Sequence, residues 1–355
     1  MRFKRYRIAF IALGILLVIP SVWGGLSMDD FVQLYKSDGV KQIIGNDYGP
    51  LDQYSFSTGD PDDHQRNIES GLFPWWTSKK FKATFLRPLS SLALVLDYYL
   101  FDNDPVWKHI HSILWYFLLL IAVAVLYKRL HANPVAFLAL LLFCIDDAHG
   151  VTVGFIANRH ALISAFFGVM ALIAFDRFYR DRWLKGQWLA PFYLILSLMA
   201  GEAGLAFFAF IFSYVLFIHR GGVWNKMTLL IPYTLLFFSW AALYWINDLG
   251  TQGSGMYINP IGEPLSFLFL MIQRLPILLF GLFGFLASDL WLLYPPGIDT
   301  LVLSIALIFL LAFFILLSPG LKRNRLLRFW LLATVLALLP LSATFPSDRN
   351  LIIPG

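Results

Sequence analysis

The sequence predicts an all-α polytopic membrane protein with about nine to eleven transmembrane helices and a large first outer loop carrying interfacial helices. Three observations carry that expectation. Of the 355 residues, 59% are hydrophobic and 14% charged, against about 45–50% and about 25% in soluble domains. Apolar runs of spanning length recur along the whole chain. The basic residues fall in short clusters between those runs, as orientation signals do, so the net charge of +5 is no sign of a nucleic-acid partner.

The first run, Ile8 to Trp23, follows "MRFKRYR". Basic residues ahead of an apolar stretch also open secretory signal peptides, but no small-x-small cleavage site follows, so a retained anchor is expected. Further spans are placed at 109–127, 134–150, 160–176, 187–201, 203–219, 228–247, 300–318 and 328–344, with the first at 8–25. With the N-terminus in the cytoplasm, the inner segments collect most of the 27 basic residues, including Lys128, Arg129, Arg177, Arg180, Arg220, Lys226, Lys322, Arg323, Arg325 and Arg328. Short outer loops receive Arg159, Arg274 and Arg349. A multi-pass inner-membrane protein organised as one domain over 1–355 is the expectation.

Two stretches resist the count. Residues 264–297 are apolar enough to span, yet a single crossing would put "KRNRLLR" outside. The segment is therefore expected to be a re-entrant or interfacial pair of short helices broken near Pro276, with a hairpin crossing twice as the other solution. Residues 87–101, "RPLSSLALVLDYYLF", are too short to span comfortably and carry Asp97, which predicts a helix lying at the interface. The segment 26–108 is thus one long outer loop, with "GLFPWWT" at 71–77 resting on the headgroup layer. Loops of that length are usually functional.

Candidate site residues stand out as charges in apolar surroundings. Asp29 and Asp30 open "DDFVQLYKSDGVKQII", read as a short helix; acids there either stabilise its first turn or supply a general base at the membrane surface. Arg159 and His160, in "GFIANRHALIS", either snorkel to the interface or bind an anion. Glu202, in "LMAGEAGLAFF", has no basic neighbour in sequence and is either a site candidate for that reason or a residue of a tight outer turn between two helices. Arg349, in "FPSDRNLIIPG", forms a surface pair with Asp348 or recognises phosphate, for which a guanidinium fork is well suited.

"CIDDAHG" places Asp146 and His149 three apart, on one face if the helix continues. With no third ligand, a turn or hydrogen-bonding role is the better reading, and no histidine is assigned to a metal. The single cysteine, Cys144, forms no internal disulfide. Walker, GxGxxG, GxSxG and nucleophile-triad patterns are missing from the sequence.

In this order the pieces resemble the GT-C superfamily of polytopic glycosyltransferases, especially tetratricopeptide-linked O-mannosyltransferases, protein O-mannosyltransferases and lipid A aminoarabinose transferases. The resemblance rests on "MDDFVQL", on "FLRPLSSLALVLDYYLFDNDPVWKHIHSILWYF", on "VGFIANRHALIS", on "MAGEAG" and on "SDRNLIIPG". It implies a GT-C-like bundle and inverting transfer of a sugar from a polyprenyl-phosphate donor to a hydroxyl on the outer face. Asp29 is then the base, with Asp30 its partner or the less favoured candidate. Arg87, Arg159, His160, Glu202 and Arg349 are implied to bind substrate or its phosphate. The acceptor, whether lipid, glycan or protein, is not specified. If a metal takes part, Mg²⁺ or Mn²⁺ on carboxylate oxygens is expected.

Two positions depart from the resemblance. Gly201 stands where relatives carry a lysine, and the chain ends at Gly355 where relatives continue with further spans, which is the expectation for a C-terminally truncated member. Competing readings are a transporter or lipid flippase and a non-catalytic membrane protein of the same architecture.

Overall fold

The computed structural model describes residues 2–37, 49–260, 262–284, 286–295 and 297–355. In chain order the elements are α1 (Arg2–Val18, continued as a 3-10 turn Ile19–Trp23), α2 (Asp29–Ser37), β1 (Ser55–Ser57), α3 (Pro61–Glu69), β2 (Lys82–Thr84), α4 (Pro88–Phe101), α5 (Pro105–Leu130), α6 (Asn133–Ile145), α7 (Ala148–Gly154), α8 (Arg159–Arg180), α9 (Gly186–Ala200), α10 (Ala206–Phe217), α11 (Val223–Ile246), β3 (Gly250–Gln252), α12 (Pro264–Phe283), α13 (Ile298–Arg323) and α14 (Arg325–Leu341). The short helix expected from Asp29 is present as α2; the remainder of that stretch, 38–44, lies outside the described residues.

Among the described residues six helical segments are long and apolar enough to cross a membrane: Tyr6–Trp23, Pro105–Leu130, Ile156–Arg180, Val223–Ile246, Pro264–Phe283 and Ile298–Arg323. The pair α6 and α7, bent by 54°, makes a seventh if it is one span. The exposure pattern agrees with a lipid solvent. The spanning window of α13 has a mean hydropathy of 3.0 and is only 6% buried, with Leu301, Ile308, Leu311, Phe314, Ile315 and Leu316 open. An apolar face that large is not left to water in a soluble monomer. The chain is a helical multi-pass membrane protein.

One expectation about spans is corrected, and three of the placed spans are short helices. Helix α9 has 15 residues, about 23 Å at 1.5 Å per residue, and falls short of a core about 30 Å thick. The apolar helix Glu202–Phe217 is likewise short, and α14, with 17 residues, begins with Arg325. Residues 264–283 form one unbroken helix through Pro276; the break comes at Gly284. A proline inside an apolar helix removes one backbone hydrogen bond, and neighbouring helices make that tolerable.

The chain divides into two compact units, Met1–Gly204 with Ala241–Ser254, and Leu205–Trp240 with Gly255–Gly355. In the first, α8 packs against α5 and α9, and α1 against α6 and α5. Small residues bring α8 and α9 together, with Ala171, Ala190, Leu172 and Leu194 fully buried. The hydroxyl of Ser197 donates to the Ser164 carbonyl at 2.7 Å, a polar tie between apolar helices. Three short antiparallel strands in the order β1, β2, β3 interrupt the otherwise helical fold. Lys82 pairs with Gln252 and Thr84 with Gly250, so the loop before α4 is stitched to the segment that follows α11.

In the second unit α10 packs on α14, and α12 on α13. Aromatic contacts fill both seams: Tyr214 with Phe329 at 5.9 Å and Phe283 with Phe313 at 4.8 Å. Arg274 is buried, and its Nη1 donates to the Ser342 carbonyl at 3.2 Å.

Candidate functional site

The two neighbouring acids of α2 have different surroundings. Asp29 is exposed and Asp30 is 3% exposed, as expected for side chains about 100° apart on a helix. Asp30 reaches back to accept from the backbone N–H of Ser27 at 3.0 Å, the reciprocal contact of a capping box. Its other oxygen accepts from the N–H of Ala157 at 2.6 Å. Burial pushes the carboxyl above its ordinary range although both N–H groups pull the other way. Asp30 therefore pins α2 to the turn that precedes α8.

Ala157 is held from its other side as well. The Tyr54 hydroxyl donates to the Ala157 carbonyl at 3.0 Å, and Tyr54 is 1% exposed. Its ring meets the His160 ring edge-on at 5.5 Å between centroids and lies 5.0 Å from the Arg87 guanidinium carbon. Burial raises the phenol's pKa, with Arg87 and Arg159 and a hydrogen bond from Gln33 acting against that rise. One tyrosine thus joins Asp30's anchor, His160 and Arg87.

Arg87 precedes Pro88, and a residue before proline is kept out of the helical region; its φ of −128° and ψ of 55° turn the chain just ahead of α4. Ser90, one turn on, donates to the Ala200 carbonyl at 2.8 Å, which sets the start of α4 beside the end of α9. There the Arg87 guanidinium meets Glu202, with Nε to Oε2 at 2.7 Å and Nη2 to Oε2 at 2.6 Å. Glu202 also accepts a close hydrogen bond from the Tyr244 hydroxyl, and that hydroxyl accepts from the Leu86 N–H at 3.3 Å. The Phe85 ring stacks 4.3 Å from the guanidinium. Burial alone would weaken the charge on Arg87, but the Glu202 carboxylate overrides it and holds its pKa above the ordinary value. The side chains of Arg87 and Glu202 are 12% and 24% exposed, so the pair borders solvent while Tyr54 behind it does not.

His160 sits against Gly201: a Cβ built on that glycine would stand 2.8 Å from Nδ1 of the imidazole. A side chain at 201 and the imidazole compete for the same space.

Arg159, one residue earlier, points elsewhere. It is 1% exposed and ion-paired to Asp97, donates from Nε to the Ser112 hydroxyl at 2.9 Å and from Nη2 to the Lys108 carbonyl at 2.6 Å. His111 shares Asp97 and accepts from the Trp115 indole at 3.0 Å. This network ties α4, α5 and α8 together. Arg159 therefore does not snorkel, and Asp97, 1% exposed, is its buried counterion.

Arg349 belongs to the second unit, in a 3-10 turn Asp348–Asn350, 5.3 Å over the Phe345 ring. Its neighbour Asp348 accepts from the Ser288 N–H at 2.8 Å and hydroxyl at 2.6 Å. Asp146 and His149 do not share a helix face, because α6 ends at Ile145, before Asp146, and His149 belongs to α7. Asp146 accepts from the Ala148 N–H at 3.0 Å at the bend, and the His149 Nδ1 lies 3.0 Å from the Tyr116 hydroxyl.

Of the seven residues expected to form a site, Asp30, Arg87, His160 and Glu202 are linked through Tyr54 and Ala157, with Asp29 beside them on α2. Tyr54, Tyr244 and Asp97 were not anticipated as partners. Tyr54 and Tyr244 carried no local signal, whereas Asp97 stood in an apolar run as a charge in need of a counterion. No family model matches the chain, and no match to it is found among curated proteins or solved structures.

Proposed function

We propose that this protein is a GT-C-like membrane glycosyltransferase that moves a sugar from a polyprenyl-phosphate donor to a hydroxyl acceptor at the outer membrane face, with inversion. The observation that carries the reading is the exposed carboxylate of Asp29 on a helix that Asp30 and Ala157 clamp beside the Tyr54, Arg87 and Glu202 cluster. A base, a cation and their rigid support come from three distant parts of the sequence.

In this mechanism Asp29 takes the proton of the acceptor hydroxyl. The acceptor oxygen bonds to the anomeric carbon from the face opposite the lipid phosphate, and the carbon–oxygen bond to that phosphate breaks with its electron pair. The departing phosphate needs no proton, so one base suffices, and Arg87 stabilises its growing charge. Glu202 and Tyr244 orient the guanidinium until phosphate arrives. Asp30 is a positioning residue. Both its oxygens, and those of Glu202, already accept from N–H or O–H donors, an arrangement poorly suited to a divalent cation, and no step uses one.

The test is transfer of radiolabelled sugar from a native lipid extract by purified protein. Asp29→Asn and Arg87→Gln are expected to lower the rate at least about a hundredfold, with little change in melting temperature for Asp29→Asn. Full activity in Asp29→Asn would remove the proposed base. Vectorial transport without sugar transfer would replace the reading with a lipid flippase.

A further inference from the structure

The second unit holds a basic cleft that the reading above does not use. It is about 640 Å³ in volume and is lined by His219, Arg220, Lys226, Arg325 and Arg328, with Phe217 as an apolar wall. No carboxylate among the described residues lines it. The lining converges from two separate stretches, the loop after α10 with the start of α11, and the first turn of α14. Basic residues that only fix membrane orientation need to lie on one side of the bilayer; they need not share a cavity. Like charges gathered around one concavity repel each other and focus a positive potential into it.

The geometry adds three details. Lys226 Nζ donates to the Leu216 carbonyl at 2.8 Å, a contact that satisfies the end of α10 and holds the ammonium at the cleft wall. The Gly221 N–H donates to Nδ1 of His219 at 2.9 Å, so the neutral ring carries its proton on Nε2. Arg328 lies 5.5 Å from the Phe217 ring centroid, and its Nε is buried with no hydrogen-bond partner among the described residues. A buried guanidinium donor without an acceptor is costly, and an oxyanion in the cleft would satisfy it.

We propose that this cleft binds a phosphate-bearing anion through Arg325, Arg328, Arg220 and Lys226. A phospholipid headgroup and a free phosphate share that chemistry, because a guanidinium fork matches phosphate oxygens in either. A cleft at the ends of apolar helices is accessible to both.

The experiment uses the full chain in detergent, delipidated and titrated with phosphatidylglycerol, phosphatidylcholine or inorganic pyrophosphate, with bound ligand counted by native mass spectrometry. Wild type is expected to bind one phosphatidylglycerol or one pyrophosphate about tenfold or more tighter than Arg325→Gln/Arg328→Gln. Preference for phosphatidylglycerol identifies a headgroup site; displacement of the lipid by pyrophosphate identifies a site open to free anions. Arg220→Gln/Lys226→Gln, on the facing wall, repeats the loss should the first variant fail to fold. Lys322→Gln/Arg323→Gln removes the same charge outside the cleft and is expected to bind as wild type does. Equal binding by wild type and both cleft variants, or an equal loss in the outside control, overturns the proposal.

Discussion

Gly201 and His160 face each other so closely that a Cβ at 201 would lie 2.8 Å from the imidazole Nδ1. An added side chain therefore displaces the ring from Tyr54. Gly201→Ala is expected to cost about 1–3 kcal/mol, the usual penalty for overpacking, and Gly201→Lys at least as much. Adding His160→Ala should recover most of either loss, and a double-mutant cycle on chemical unfolding measures the coupling. Additive losses would show that the two residues do not compete for space.

The two arginines flanking the cluster separate support from chemistry. Arg159 is enclosed with Asp97, both 1% exposed, so Asp97→Ala leaves a buried guanidinium without its counterion. A loss of about 3–5 kcal/mol is expected, read as a lower melting temperature and a poor yield of folded protein. Arg87→Lys keeps the charge at this largely buried position but loses the planar fork. Its expected effect is slower sugar transfer with the fold retained.

Lys36 makes part of the outer loop pH-sensitive. Its ammonium donates to the Ser55 carbonyl and to Gln53 at 3.4 Å, near the Phe56 ring at 5.2 Å. Burial lowers its pKa from 10.5 to about 7, against the pull of Asp52 and Asp63. The folded state thus binds fewer protons than the unfolded state between those two values. Stability is expected to rise with pH across that window, and Lys36→Met should flatten the rise in melting temperature measured from pH 7 to 10.

The central strand of the small sheet offers a local test. Ala83 pairs with Ser57 on one side and with Thr251 on the other. Ala83→Pro removes a backbone donor from the ladder, and limited proteolysis is expected to cut the 49–87 segment faster while the helices stay intact. The exposed Lys82–Asp248 pair, at 2.7 Å with Asp248 66% exposed, should matter little; Asp248→Asn is expected to change stability by less than about 1 kcal/mol.

Much of the helical framework was legible because apolar runs bounded by charges leave few alternatives in a membrane. The span at 264–283 was misjudged because Pro276 reads as a breaker by water-phase rules, while packed helices absorb one missing hydrogen bond. Asp30, Arg87 and Glu202 were legible as polar groups among apolar neighbours. Tyr54 was not: its hydroxyl partner lies 103 residues away, and no local pattern encodes a contact of that range. The division of labour between Asp29 and Asp30 also required coordinates, since both have the same composition of neighbours in sequence.

The stitching of Lys82–Thr84 to Gly250–Gln252 has a consequence for biosynthesis. The first loop emerges from the ribosome long before its last strand does. At about 5–20 residues per second, on the order of ten seconds or more separate the two, and Glu202 and Tyr244 are also made late. Until then Arg87 has neither counterion nor ladder, and a chain arrested before residue 250 would present the loop as a substrate for quality-control proteases rather than as a finished surface.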